Sequence, residues 1–399
     1  MKVAILSDFH LGYERFFEDA FNQAKEALSK ASELADMLII PGDIFDYRKP
    51  EPEVMAQAVN LFREASQKNY STKVVDYTGE KLYTTKPIIA IPGTHERRAE
   101  DSIDSVDVLH LAGLLVEVNK SKAVIQKGNE RVSVYGLGGI ADERFRSALK
   151  ELDLNLDKNT FNIFMIHQTL YELLPFSEEF THIEELPEGF DLYVNGHIHS
   201  KKELKCHGKN FLIPGSTVLT QLKGEEQEEK GFIIYDTESN TFKFEKINSR
   251  PFSLIKVNID GKEPKEIEKE IITILENKIK KEPNKKQILK VEVSGNLKSG
   301  FKPIDLNFGQ ISSIDKNNAI IEITKSNIKE ENSKTAEELR SGIVENMSIH
   351  DFGISLFTEK LKSNNYSLKV NPSDLFNILS SEEKKETVIK KAISELFSE

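Results

Sequence analysis

The sequence predicts an α/β protein in which strands and helices alternate, followed by a smaller α+β region. Three observations support this prediction. Short β-type apolar runs alternate with longer helical patterns as far as Arg250, the composition changes there, and the 399-residue chain is too long for one core. We therefore expect one large domain and something smaller.

The large domain, residues 1–250, is predicted from apolar runs of strand length and from stretches with helical periodicity. In order these are "KVAIL", a helix over 16–34, "DMLIIP", a helix over 53–65 and "KPIIAIP". Later strands are "LLVEV", "RVSVYGLG", "NIFMIH", "FDLYVNG", "NFLIPGS" and "GFIIYD". Before "KPIIAIP", the inserted segment 69–86 predicts a small hairpin around Thr78 and Gly79.

Three further segments follow Arg250. Residues 251–327 contain "PFSLIKVNID", a lysine-rich helical pattern, "QILKVEVSG" and "NNAIIEIT", which predict a small α+β domain. Residues 328–340 are polar and nearly free of apolar anchors, so we expect a linker. Residues 341–399 predict short amphipathic helices, whose apolar stripes must pack on the body of this chain or on a partner.

Composition excludes several classes of protein. The chain has 54 Lys and Arg residues against 65 Asp and Glu, so it has no overall positive charge that would attract nucleic acid. Any binding of nucleic acid must be local or helped by bound cations. The only cysteine, Cys206, excludes an intramolecular disulfide. No apolar run approaches the roughly 18 residues of a membrane helix, and the first run is too short for a signal peptide. We expect a cytoplasmic protein without membrane attachment.

Aspartate and histidine residues follow five of the predicted strands. Because open α/β sheets build their sites at the carboxyl ends of strands, we expect these side chains to meet. They are Asp8, His10, Asp43, His95, His167, His197 and His199.

The spacing and chemistry of these residues predict a two-metal centre. In Asp8-x-His10 and His197-x-His199, alternate residues of an extended segment point to one side. A ligand set of oxygen and nitrogen without thiolate favours Mn, Fe, Zn or similar divalent ions, and Asp43 has two oxygens to share as a bridge. Each motif alone is more often structural, but the joint pattern has no comparable packing explanation.

These motifs resemble the ordered motif set of the calcineurin-like metallophosphoesterases. Within that superfamily the chain is most similar to the meiotic-recombination-eleven (SbcD-like) nucleases of archaeal DNA double-strand-break repair, through "DFHLGY", "GDIFDYRKP", "HQ", "GHIH", "IPGST" and "KGF". The resemblance covers about the first 235 residues. It implies a four-layer αββα core, a small capping domain and C-terminal helices that bind an ABC-type ATPase with a long coiled coil.

The resemblance also implies a role for each site residue. One metal ion would be held by Asp8, His10, Asp43 and His199, and the other by Asp43, His167 and His197. His95 would orient the phosphodiester and protonate the leaving oxygen without binding metal. Two positions depart from the pattern. Thr94 replaces an asparagine whose amide oxygen is a ligand of the second metal, and Asp46 replaces a second catalytic histidine.

The function we expect is two-metal hydrolysis of DNA phosphodiesters, as an endonuclease or exonuclease. The expected cofactor is manganese, and the expected partners are DNA, the ATPase and a second copy of the chain. Four lysines near "GHIH" either contact phosphates or only form a solvated charged loop: Lys201, Lys202, Lys205 and Lys209. Apolar residues of the second helix either form a dimer contact or belong to the core: Val59, Leu61 and Phe62.

Two other functions remain open. The first is a small-substrate phosphodiesterase on the same scaffold, although such an enzyme has no need of the second domain and tail helices. The second is a weakly catalytic scaffold that binds DNA ends and anchors the ATPase. The departures at Thr94 and Asp46 favour the scaffold, whereas six intact ligand positions and His95 argue against it.

Overall fold

The computed structural model describes most of the chain, in these segments: 1–97, 102–152, 154–174, 180–281, 286–309, 311, 314, 318–330, 354 and 357–358. It divides into two compact units. The first contains Met1–Ile255, Leu275–Val291 and Ser313–Glu322, and the second contains Lys256–Ile274, Glu292–Ser312 and the described residues from Ile323 onward.

The described helices, in chain order, are α1 (Phe17–Leu34), α2 (Pro52–Ser66), α3 (Ser105–Leu111), α4 (Asp142–Glu151) and α5 (Pro264–Lys281). The strands of the first unit begin with β1 (Lys2–Ile5), β2 (Met37–Pro41), β3 (Lys73–Tyr77), β4 (Ile88–Ile91), β5 (Val116–Glu117), β6 (Ser121–Lys127) and β7 (Glu130–Leu137). They continue with β8 (Phe161–Ile166), β9 (Leu192–Asn195), β10 (Lys202–Cys206), β11 (Lys209–Ile213), β12 (Gly231–Asp236) and β13 (Thr241–Lys246).

Two sheets form the centre of the first unit. One has the order β13-β12-β1-β2-β4-β5, and the other has the order β10-β11-β9-β8-β7-β6-β3. In the first sheet β1, β2, β4 and β5 run parallel, and in the second β7, β8, β9 and β11 run parallel. All parallel strands of one sheet end at the same edge, which is where loop residues from several strands can meet.

Three of the apolar cores formed by the described residues separate four layers. α1 and α2 pack on one face of the first sheet, and α4 packs on the outer face of the second. The third core lies between the sheets. Successive residues of β1 and the residue after it serve different cores, since Val3 and Ile5 face the other sheet while Ala4 and Leu6 face the helices. The predicted four-layer αββα arrangement is therefore confirmed.

Helix α2 settles the question raised by its apolar residues. Leu61 and Phe62 are buried in the core between α1, α2 and the first sheet. Val59 is partly buried and packs against the same core. The predicted bounds of the first two helices, 16–34 and 53–65, are close to the observed ones. The start of α1 and both ends of α2 differ from the prediction by one residue.

The hairpin predicted around Thr78 and Gly79 is formed only in part: Val74 N donates to Thr85 O at 2.9 Å, but β3 is the only strand within 69–86. β3 pairs with β6 in antiparallel fashion at the edge of the second sheet, with Val74 opposite Ile125. The two strands come together because Val74 joins the core between the sheets, an anchor that a local hairpin would not have.

The remaining elements follow the first 250 residues. Strands β14 (Phe252–Asn258), β15 (Gln287–Leu297) and β16 (Ala319–Glu330) form a three-stranded sheet. β16 extends to Glu330, so the predicted linker 328–340 is wrong for its first three residues. The rest of that linker and nearly all of 341–399 lie outside the described residues. Among the described helices, none is both long and apolar enough to cross a membrane.

Candidate metal centre

Five strand ends meet at one place in the first unit. β1, β2 and β4 come from the first sheet, and β8 and β9 come from the second. The structure brings together all seven side chains that the sequence predicted there, and three overlapping groups of potential ligands each have their donor atoms within 4.8 Å of one another. These groups are Asp8, His10 and His199; Asp43, His167 and His197; and His10, Asp43 and His95.

The backbone at this site is strained. Asp8, His10, Asp43 and His197 have φ of +53°, +47°, +50° and +70°, a left-handed conformation that costs an L residue about 1 to 2 kcal/mol. Main-chain hydrogen bonds from Asp8 N to Gly42 O (3.2 Å) and from His10 N to Asp43 O (3.1 Å) hold the first two turns together. The surrounding fold thus maintains conformations that aim potential ligands into one site.

Two glycines allow the turns to approach this closely. A Cβ at Gly93 would lie 2.1 Å from Oδ1 of Asp43, and a Cβ at Gly196 would lie 2.0 Å from the carbonyl oxygen of Pro41. Any larger residue at either position would push the strand ends apart, so both positions require glycine.

The first group of donors converges through its imidazoles. Nε2 of His10 lies 3.1 Å from Nε2 of His199, and Oδ1 of Asp8 lies 4.0 Å and 3.8 Å from these two nitrogens. The other nitrogen of each ring already has a partner, since Nδ1 of His10 faces Asp46 and Nδ1 of His199 faces Thr220. When both Nδ1 atoms carry the proton, two lone pairs face each other at Nε2, an arrangement that favours a cation beside them.

The second group has the same character. Nδ1 of His167 donates to the carbonyl oxygen of Pro41 at 2.7 Å, while its Nε2 lies 3.1 Å from Oδ2 of Asp43. Within the described residues, Nε2 of His167 and Oδ2 of Asp8 are buried without a hydrogen bond of acceptable geometry. Because buried polar atoms are normally satisfied, these two unmatched donor atoms fit a site for divalent cations.

The ionisation of the ligands supports this conclusion. Burial raises the pKa of Asp8 to about 6. Burial alone would lower the pKa of His167, but the neighbouring Asp43 carboxylate outweighs burial and raises this pKa to about 9. Burial, followed by the charge of His167, lowers the pKa of His197 to about 4, and burial also lowers that of His199. Despite burial, the nearby carboxylates raise the pKa of His10 as well as that of His167, so the site attracts positive charge, and a divalent cation would bind in place of these protons.

His95 differs from the buried members of the three groups in its exposure. Its side chain is 41% exposed, whereas those of His10 and His167 are 1% and 0% exposed. Its main-chain N–H donates to Oδ1 of Asp43 at 2.9 Å, and its Nδ1 donates to the carbonyl oxygen of Asp46 at 2.6 Å. The ring is therefore fixed at one nitrogen and presents the other at the mouth of the site.

The two departures from the expected motif occupy different positions. Thr94 Oγ1 lies 3.4 Å from Oδ2 of Asp43, a long hydrogen bond that places its hydroxyl beside the second group. Asp46 Oδ1 lies 3.0 Å from Nδ1 of His10 and 3.7 Å from Nδ1 of His95. Asp46 thus contacts two residues of the site from behind.

Glu96 is a residue of this site to which sequence analysis gave no role. It is fully buried and accepts hydrogen bonds from the main-chain N–H groups of Asp43 (3.1 Å), Phe45 (2.7 Å) and Gly93 (2.7 Å). One carboxylate therefore joins the turn after β2 to the turn after β4. Its place in "GTHE", directly after His95, was the available signal.

The lysines that follow "GHIH" have local partners. Lys202 and Lys205 lie on β10, so the prediction of a loop is wrong for them. Nζ of Lys205 donates to Asn210 at 2.6 Å, and Nζ of Lys209 lies 3.5 Å from Asp191. Nζ of Lys201 lies 4.5 Å from the centre of the Phe244 ring. These contacts account for three of the four lysines without a phosphate.

Comparison with known proteins gives three findings. The profile of the calcineurin-like phosphoesterase family matches residues 1–201. The chain is 27% identical over 290 residues to "Double-strand break repair protein mre-11" of Caenorhabditis elegans, covering 61% of this chain and 40% of that protein. It is 26% identical over 313 residues to "DNA double-strand break repair protein Mre11" of Saccharolobus solfataricus, covering 74% and 75%.

Among solved structures, this chain is similar to a novel archaeal phosphodiesterase, with 14% identity and a TM-score of 0.32 over 62% of this chain and 100% of that one. This chain spans less than half the length of the Caenorhabditis elegans protein.

Proposed function

Because the chain belongs to the calcineurin-like phosphoesterase family, we propose that it is a metal-dependent nuclease that hydrolyses DNA phosphodiesters at double-strand breaks. The observation that carries the proposal is the pair of ligand groups, Asp8 with His10 and His199, and Asp43 with His167 and His197, built from four strand ends. The substrate class is supported by the names of the relatives, which are double-strand break repair proteins.

The ligand groups define the chemistry that bound ions would supply. Two divalent cations, which we propose to be manganese, would lower the pKa of a water and neutralise the phosphate. Asp43 is the proposed bridge, since its donor atoms group both with those of His167 and His197 and with that of His10. His10 and His199 complete the first site with Asp8.

His95 is the proposed general acid. Its Nδ1–H is held by the carbonyl oxygen of Asp46, so the ring can carry a second proton only at Nε2. From the exposed mouth of the site that proton can pass to the oxygen that leaves the phosphorus. Once it has given up this proton, the neutral ring has no N–H at Nε2 to donate to a phosphate oxygen. It must therefore be protonated again before each new turnover.

The negative charge of the chain would make cation binding important for DNA binding. The chain carries a formal net charge of −11, and Asp8 and Asp43 lie buried at the reaction site. A polyanion would be repelled by these carboxylates alone, whereas cation binding offsets their charge. Metal loading is therefore expected to be a condition for DNA binding at this site as well as for cleavage.

Partners are proposed from the resemblance to the repair nucleases. We propose that the chain acts in the cytoplasm with a coiled-coil ABC-type ATPase bound by residues 341–399, and that it forms a homodimer. We also keep the domain division proposed from sequence, with a nuclease domain at 1–250 and a capping domain at 251–327. Leu61 and Phe62 no longer support the dimer, because they are buried in the core of one chain.

One assay separates the nuclease from its alternatives. The full chain is incubated with linear duplex DNA or with an aryl phosphodiester, in manganese or magnesium, with and without the ATPase. We expect DNA cleavage in manganese. Robust cleavage of the aryl ester without DNA cleavage would contradict the proposal in favour of a small-substrate phosphodiesterase. DNA binding with neither cleavage would contradict it in favour of the scaffold.

A further inference from the structure

A hydroxyl group lies directly behind one proposed metal ligand. Thr220 Oγ1 is 2.5 Å from Nδ1 of His199, the ring nitrogen that faces away from His10. Thr220 is 21 residues further along the chain, in the segment between β11 and β12. A hydroxyl can either donate to a histidine nitrogen or accept from it, and the choice determines which ring nitrogen keeps a lone pair.

A buried carboxylate decides this choice. Oε1 of Glu226 lies 3.2 Å from Thr220 Oγ1, and the Glu226 side chain is 4% exposed. An ionised carboxylate accepts hydrogen bonds and donates none, so the single hydroxyl proton of Thr220 points to Glu226. The hydroxyl must then accept from Nδ1–H of His199. Nε2 of His199 is left with its lone pair facing Asp8 and His10.

A buried lysine holds the same histidine by its main chain. Nζ of Lys230 donates to the carbonyl oxygen of His199 at 3.0 Å and to Ser216 Oγ at 2.9 Å, and it lies 3.5 Å from Oε1 of Glu226. The Lys230 side chain is 5% exposed, so its charge is balanced locally by Glu226 and not by solvent. The position of His199 and the charge of Glu226 are therefore fixed together.

Glu226 also has an ordinary structural role. It accepts the main-chain N–H groups of Thr220 (3.0 Å), Gln221 (2.8 Å) and Leu222 (2.5 Å), which shapes the loop. Those three bonds involve only main-chain donors and do not depend on the hydroxyl of Thr220. Removing that hydroxyl alone therefore separates an effect on His199 from an effect on the loop.

We propose that Thr220 is a positioning residue for the metal site of Asp8, His10 and His199, and that Glu226 acts through it. The carboxylate of Glu226 orients the Thr220 hydroxyl, which fixes the tautomer and the rotation of the His199 ring. The proposal rests on the proposed function only in taking His199 to be a metal ligand. It goes beyond that function by assigning a task to a segment in which no ligand lies.

The test compares three variants of the full chain. Thr220→Val keeps the shape of the side chain and removes the hydroxyl, Thr220→Ser keeps the hydroxyl, and Thr217→Val is the matched control. Thr217 lies in the same segment, is fully buried, and its hydroxyl has no hydrogen-bond partner among the described residues. Manganese affinity and the number of bound ions are measured by calorimetric titration after removal of metal, and folding is checked by thermal denaturation in EDTA.

We expect Thr220→Val to weaken binding of one manganese ion by about 10-fold to 100-fold, with the other ion unaffected. Thr220→Ser and Thr217→Val should stay within about threefold of the unmodified chain. Unchanged affinity in a folded Thr220→Val chain would overturn the proposal. Equal losses in the valine and serine variants would also overturn it, since the hydroxyl would then not be the cause.

Two provisions keep the test decisive. If Thr220→Val does not fold, Thr220→Ala is measured against Thr217→Ala with the same expected contrast. DNA cleavage is assayed in parallel on the unmodified chain. Two bound ions, the expected loss in Thr220→Val and no DNA cleavage by the unmodified chain would support this inference while contradicting the proposed nuclease. DNA cleavage by the unmodified chain together with unchanged manganese affinity in Thr220→Val would support the nuclease and contradict this inference.

Discussion

Nδ1 of His10 donates a hydrogen bond to Oδ1 of Asp46 across 3.0 Å, which leaves Nε2 of His10 facing His199. The family resemblance implies that Asp46 replaces a second catalytic histidine. Its position gives it a different part in the site, because a carboxylate behind a histidine fixes the ring and makes its free nitrogen a stronger ligand.

Removal of this carboxylate should weaken metal binding. In Asp46→Ala the His10 ring loses its partner, while the main-chain carbonyl that holds His95 remains. We expect manganese affinity to fall by about 10-fold to 100-fold, measured by calorimetric titration. Asp76→Ala is a suitable control on an exposed edge strand. Affinity equal to that of the unmodified chain would show that Asp46 does not support the ligand.

His95→Ala tests the assignment of the general acid. Because His95 is exposed and its Nδ1 is already bonded to Asp46, we expect both ions to be retained and DNA cleavage to fall by about 100-fold to 10,000-fold. His182→Ala, at a histidine paired with Glu172 outside the site, should cleave normally. Loss of an ion from His95→Ala would mean that the third group, His10 with Asp43 and His95, is a real ligand set.

Thr94 offers a gain-of-affinity test. Its hydroxyl reaches Asp43 only at 3.4 Å, whereas an asparagine amide oxygen extends further into the site. Thr94→Asn should tighten the manganese ion held by Asp43, His167 and His197 by about tenfold, equivalent to about 1.4 kcal/mol. Thr94→Val, which has no ligand atom, should not tighten it. If asparagine and valine behave alike, the hydroxyl of Thr94 does not limit the second site.

Glu96 should matter for stability. Its carboxylate accepts three buried main-chain N–H groups, and Glu96→Gln would turn one of its oxygens into an amino group facing such a donor. We expect the free energy of unfolding to fall by about 2 to 3 kcal/mol, measured by urea denaturation in EDTA. The same change at the exposed Glu80 should have little effect. Equal stability of both variants would show that the turns after β2 and β4 do not depend on Glu96.

Glu117 predicts a pH dependence of stability away from the metal centre. Burial raises its pKa to about 8, and the carboxylates of Asp107 and Asp104 add to the shift. An unfolded glutamate titrates near pH 4.3. The folded chain therefore binds the proton more tightly, so the contribution of Glu117 is fully present below the unfolded pKa and is lost as the pH rises through about 8.

Glu117→Gln removes this titration and can keep the acceptor for the N–H of Asn119. The variant should gain stability relative to the unmodified chain as the pH rises from 5 to 8, by about 1 to 3 kcal/mol. Urea denaturation in EDTA measures the difference, because the metal-site groups are common to both chains. Parallel stability curves across that range would contradict the shift.

The strands that supply the site could be predicted because they are buried on both faces. β2, β4 and β9 are buried at every residue, so each gives a continuous apolar run that ends shortly before a residue of the candidate site. Edge strands such as β10 and β13 alternate exposed and partly buried residues with many charges, and the sequence did not reveal them. Short helices α3 and α4 were missed as well.

The candidate site shows the same division. The proposed ligands and His95 could be predicted because each lies within a few residues of the end of a buried strand. Thr220, Glu226 and Lys230 could not, because they reach His199 only through a segment that passes behind it in the folded chain. In the sequence "TQLKGEEQEEK", nothing distinguishes the buried Glu226 from its exposed neighbours.

The two-ion centre is the central claim, and counting ions tests it most directly. The full chain is stripped of metal, loaded with manganese, desalted and analysed for bound metal per chain. We expect two ions for the unmodified chain, one for His167→Ala, and fewer than one for Asp43→Ala, because Asp43 is the proposed bridge between the two ligand groups. One ion or none in the unmodified chain, or two ions in Asp43→Ala, would contradict the account.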